Sequence, residues 1–87
     1  MNILECPDNK SQFLNLINKQ SKTVLAIMKV GKRWEWVKYA LEEKKILRKA
    51  ILAINLGMDN QYIGDASEYL PNELPYFSLL LLRIGLE

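Results

Sequence analysis

Histidine is absent from this 87-residue chain, and cysteine occurs once, as Cys6. The first absence removes the commonest general base and the commonest metal ligand together. The second excludes a disulfide within the chain and argues against a zinc–thiolate cluster. With no histidine to activate it, Cys6 is not expected to act as a nucleophile. Glycine is sparse, at Gly31, Gly57, Gly64 and Gly85, and these four are too scattered to build a phosphate-cradling loop. The longest uncharged apolar runs, Thr23–Met28 and Leu74–Leu82, fall far short of the roughly 20 residues that cross a bilayer. No basic region followed by a long apolar segment opens the chain. A reducing, cytoplasmic setting is expected, without membrane attachment, metal or cofactor. No small-molecule ligand is inferred, and the expected protein is not an enzyme.

What is present fits one small folded domain over residues 1–87. Apolar residues make up 49% and charged residues 25%, too apolar a mixture for a disordered chain. The net charge of +2 hides a division. Residues 1–49 hold eleven Lys/Arg against five Asp/Glu, or +6; residues 50–87 hold one Arg against five Asp/Glu, or −4. Such asymmetry marks either a basic binding face beside an acidic segment or two halves that neutralise each other, within a monomer or across a dimer.

Asn9 or Ser11 can cap a first helix whose apolar face is Phe13, Leu14, Leu16 and Ile17. Thr23–Val30 is continuously apolar and partly β-branched, which suits a buried strand or a buried helix. A strand turning at Gly31-Lys32 into Arg33–Tyr39 would form a hairpin; a helix starting near Arg33 competes with it. From Val37 to Leu56 the spacing predicts one long helix, with Tyr39, Ala40, Ile46, Leu47, Ala50, Ile51 and Ile54 on its apolar stripe and Gly57 just past its end. Asp59 or Asn60 would cap a short helix over 61–68. The last segment, Tyr76 to Leu86, is apolar on every side, so as a helix it must thread the domain centre or make an oligomer contact. The expected fold is therefore mainly α, a small domain of three or four helices with one β-hairpin at 23–39, an α+β arrangement being the alternative.

Four constellations are candidates for function. Residues 46–68 match the mask of a helix-turn-helix unit, with Leu52, Leu56, Met58, Ile63 and Ala66 at apolar positions, Ala53 at the small one and Gly57 at the turn. Its second helix would carry Asp59, Asp65 and Glu68 and no cation, which opposes approach to phosphate; a plain helical corner is the other reading. A second constellation is the set Lys32, Arg33, Trp34, Trp36, Lys44, Lys45, Arg48 and Lys49. Cations interleaved with aromatics can stack nucleic-acid bases or meet a protein partner, or the lysines are a solvated face around one core tryptophan. Phe77, Leu79, Leu80 and Leu82 are candidate oligomer contacts. Finally, Glu42-x-Lys44 and Glu43-x-Lys45 resemble the acidic element of metal-dependent nucleases, but the only upstream aspartate is Asp8, and ion pairing on a helix explains the run as well. The function expected is a non-catalytic interaction or regulatory protein acting on a protein partner or on itself, which a leucine-rich segment and a split charge would serve; a nucleic-acid-binding regulator is the alternative, and a nuclease fragment a distant third.

Overall fold

A computed structural model describes residues 2–85 of the chain, and its frame is a five-stranded mixed sheet. In chain order the elements are β1 (Asn2–Glu5), α1 (Lys10–Asn18), β2 (Thr23–Met28), α2 (Trp34–Glu43), β3 (Ala50–Ile54), β4 (Tyr62–Asp65) and β5 (Ser78–Ile84). Short 3-10 turns cover Gly31–Arg33, Leu47–Lys49 and Ala66–Glu68. Across the sheet the strands run β1-β2-β5-β3-β4. β1 and β2 are parallel, which requires a crossover, and α1 supplies it. Every other pairing is antiparallel.

This α+β architecture corrects the mainly helical expectation. The hairpin expected at 23–39 does not form. Thr23–Met28 is a strand, but its neighbours are β1 and β5, and Arg33–Tyr39 leads into and through α2. Burial explains why: Trp34, Val37, Ala40 and Leu41 are all buried, a helical spacing that the partial alternation of 33–39 obscured.

The long helix expected over 37–56 stops at Glu43. Its end is a Schellman motif built without glycine. Lys45 adopts φ +60°, its N–H bonds to the Glu42 carbonyl, and the next N–H, of Ile46, bonds back to Leu41. Five residues later the chain is a central strand. Ala50–Ile54 is apolar throughout, so it satisfied the helical period and the strand period equally.

The helix-turn-helix unit at 46–68 is thereby replaced by a β3–β4 hairpin. Gly57 does occupy a positive-φ turn (+81°), with Met58 N–H bonded to Asn55 C=O, but that turn joins strands. The expected last helix is β5, the middle strand of the sheet. Leu86, where that helix was expected to end, lies outside the described residues.

The expected cap is Asn9, whose side chain accepts from the Gln12 N–H at 2.9 Å. From α1, Phe13 and Ile17 enter the core, and from α2, Trp34, Val37, Ala40 and Leu41. They meet Leu25 and Ile27 of β2, Leu80 and Leu82 of β5, and Ala50, Leu52 and Ile54 of β3. These strand residues share one parity, so both helices cover the same face of the sheet. The other face has no helix on it.

Candidate interaction face

An antiparallel sheet with one solvated face ordinarily alternates apolar and polar residues. This one does not. Side chains of the opposite parity belong to the uncovered face: Ile3 and Glu5 on β1, Val24, Ala26 and Met28 on β2, Leu79, Leu81 and Arg83 on β5, Ile51 and Ala53 on β3, and Ile63 and Asp65 on β4. Nine of these twelve are apolar. Ile3 is 62% exposed and Ile63 59%, while Leu79, Leu81, Val24 and Met28 are partly shaded by their neighbours. A contiguous apolar surface of this kind marks an interaction site far more often than isolated exposed hydrophobic residues do.

At one end the face deepens into a groove of about 530 Å³. Met28, Ala53 and Leu79 form its floor, and Leu56, Met58, Tyr76 and Phe77, from the β3–β4 loop and the segment before β5, line its sides. Tyr76 and Phe77 pack edge to face, with ring centroids 5.0 Å apart, yet both stay largely exposed. The Asn55 N–H bonds to the Phe77 carbonyl at 2.7 Å and ties the two segments together. Lys29 stands at the groove and donates to Glu5 Oε1 at 2.6 Å. That hydrogen bond, with the attraction behind it, lowers the Glu5 carboxyl pKa and raises that of the Lys29 ammonium.

The residues singled out from the sequence are dispersed by the fold. Phe77 and Leu79 belong to the open face. Leu80 and Leu82 are fully buried beneath the helices and cannot serve as oligomer contacts in the folded chain, because a strand sends alternate residues to opposite sides. Leu81, Ile51, Ile63 and Ile3 were missed; their signal exists only once the strands and their register are known.

Trp34 is likewise a core residue, 0% exposed, so it presents nothing to a ligand. Trp36 is half-buried and meets Phe13 edge to face at 5.9 Å. Lys32 is exposed before α2, and Arg33 donates to Asp8 Oδ1 at 2.9 Å and to the Lys29 carbonyl. Lys44, Lys45, Arg48 and Lys49 are exposed on the turn after α2. The ten residues of α2, about 15 Å long, lie between Lys32–Arg33 and Lys44–Lys49, so these cations do not make one patch. Lys45 and Arg48 line a second groove of about 530 Å³ with Glu42, Leu47 and Ser67. The carboxylates of the nuclease-like element are dispersed too: Glu43 pairs with Lys10, and Asp8 with Arg33.

No protein-family model matches the chain, and a search of curated proteins found no match. No described helix is long and apolar enough to cross a membrane.

Proposed function

We propose that this chain is a non-catalytic interaction protein that works by self-association through the open face of its sheet. The carrying observation is that face itself: nine apolar side chains in register across five strands, uncovered by either helix. Fully covering one large aliphatic side chain contributes about 1.5–3 kcal/mol, so coverage of Ile3, Ile51, Ile63, Leu79 and Leu81 favours association, offset by the cost of joining two molecules. The dispersal of the candidate catalytic carboxylates into surface ion pairs supports the same reading.

Sedimentation velocity from low to high micromolar concentration tests it. A concentration-dependent dimer is expected, and Leu81→Lys is expected to abolish it while leaving the circular dichroism spectrum unchanged. A wild-type protein that stays monomeric at several hundred micromolar overturns the reading.

A second reading has one observation in its favour. Lys44, Lys45, Arg48 and Lys49 are all exposed in the short segment between α2 and β3, and among the described residues none of them is in an ion pair. Such a segment can meet nucleic-acid phosphates, with binding that falls steeply as salt rises. Fluorescence anisotropy at low salt that detects no binding to duplex or single strand removes it.

A further inference from the structure

The register of the sheet lays the open face out as rows. One row reads Ile3, Ala26, Leu81, Ile51 and ends on Asp65 at the β4 edge. The next reads Glu5, Met28, Leu79, Ala53, Ile63. Two residues beyond Leu81 on β5, beside Val24, is Arg83. The face therefore carries three charged side chains. Glu5 is already matched by Lys29. Among the described residues, Asp65 and Arg83 are in no ion pair, and both are exposed. Two strand spacings of ~4.8 Å and one two-residue step of ~6.7 Å set their backbones about 12 Å apart, and they do not pair with each other.

We infer that two copies pack open face against open face about a two-fold axis, with Arg83 of each copy meeting Asp65 of the other. The inference rests on the self-association reading and specifies its geometry. A two-fold contact brings residue i of one copy to residue j of the other and j to i. A patch holding one unmatched cation and one unmatched anion is thus complementary to itself, and both charges are satisfied twice over. The axis that exchanges Arg83 and Asp65 lies midway between them in the plane of the interface. On the sheet lattice it passes between Leu81 and Ile51, so the middle of the contact is aliphatic and each Leu81 faces the other copy's Ile51 region. Packed sheets stand ~10 Å apart, a gap that interdigitating aliphatic side chains fill and an arginine spans.

The size of the face sets the expected strength. Five strands at ~4.8 Å by six residues at ~3.3 Å cover on the order of 450 Å², against about 800 Å² per partner in a standard interface. Leu56, Met58, Tyr76 and Phe77 extend the area at one end. A weak dimer in exchange with monomer is the consequence.

The test is sedimentation velocity on wild type, Arg83→Asp, Asp65→Arg, an equimolar mixture of those two variants, and Leu81→Lys. Each charge reversal alone leaves two like charges facing each other at both ends of the contact and is expected to weaken dimerisation about tenfold. The mixture is expected to restore wild-type affinity as a heterodimer, because one variant then supplies both anions and the other both cations. Restoration on mixing supports the exchange. A mixture no tighter than either variant alone overturns it, and if Leu81→Lys still abolishes the dimer the open-face reading survives. A monomeric wild type overturns that reading as well. Should either reversal fail to fold, the wild-type dimer serves: weakening of several-fold between about 50 and 500 mM salt supports the charge exchange, and salt-independent affinity overturns it.

Discussion

Leu80 and Leu81 are neighbours on β5 and face opposite ways: Leu80 is fully buried under the helices, and Leu81 lies on the open face between Ala26 and Ile51. The two positions should therefore separate stability from association. Leu80→Ala removes buried volume that its surroundings cannot refill and is expected to cost about 2–5 kcal/mol. Leu81→Lys is expected to change stability by less than about 1 kcal/mol, because its ammonium reaches solvent on the uncovered side. Urea unfolding read beside sedimentation checks both; a large loss of stability in Leu81→Lys would refute the assignment of faces.

Gly85 follows β5 at φ +70°, and a Cβ placed there would sit 2.9 Å from the backbone nitrogen of Lys22. Both the conformation and the contact oppose any side chain, and backbone cannot swing aside as a lysine tip could. Gly85→Ala is expected to destabilise the fold by about 1–3 kcal/mol in denaturant unfolding. An unchanged midpoint would contradict the close approach of these two segments.

The opposite change applies at Lys45, which holds φ +60° in the Schellman end of α2. Glycine takes that conformation without the Cβ clash that lysine meets. Lys45→Gly is expected to stabilise by about 0.5–1 kcal/mol, which raises the melting temperature by a few degrees in a domain of this size. A lower melting temperature would show that the lysine side chain contributes more than the strain it causes.

Burial pushes the Cys6 thiol from its ordinary value of 9.0 up to about 11, the nearby Arg33 offsetting only part of the effect. The thiol is thus expected to react with a disulfide reagent at pH 8 much more slowly in the folded protein than in denaturant. The sign of the pH effect follows. The unfolded chain loses this proton near pH 9 and the folded one near 11, so the contribution to stability is complete below pH 9 and is lost as the pH rises from 9 to 11. Cys6→Ser should flatten the stability profile over that interval; an unaltered slope would refute the assignment.

The parts of this fold that could be read from the residues are those whose signal is local. Asn9 caps α1 and Gly57 turns the chain at positive φ, while Thr23–Met28, whose apolar run suited strand or helix, is a strand. The reading failed where a stop was written in an unusual residue or where two periods coincided. Lys45 ends α2 in a conformation normally left to glycine, so nothing in the residue type marks the boundary. Ala50–Ile54 and Ser78–Leu82 are apolar at nearly every position because they are central strands with a core on one side and a hydrophobic open face on the other. Such runs carry no alternation, and helical spacing can be found in them by default. Phe77, Leu79, Leu80 and Leu82 were singled out together because their segment is apolar on every side, and residue type alone could not separate Phe77 and Leu79 on the open face from the buried Leu80 and Leu82. Leu81, Ile51 and Ile63 become a surface only through pairings between strands far apart in sequence.

The order β1-β2-β5-β3-β4 has a consequence for how the chain comes to be folded. Of the five described strands, the one at the centre comes last in the sequence. Without Ser78–Ile84, β1 with β2 and β3 with β4 share no pairing, and β2 and β3 each have an unpaired hydrogen-bonding edge. Two-stranded ribbons are marginal alone, and exposed edges invite the wrong partner. β5 is therefore the keystone that closes both ribbons into one sheet.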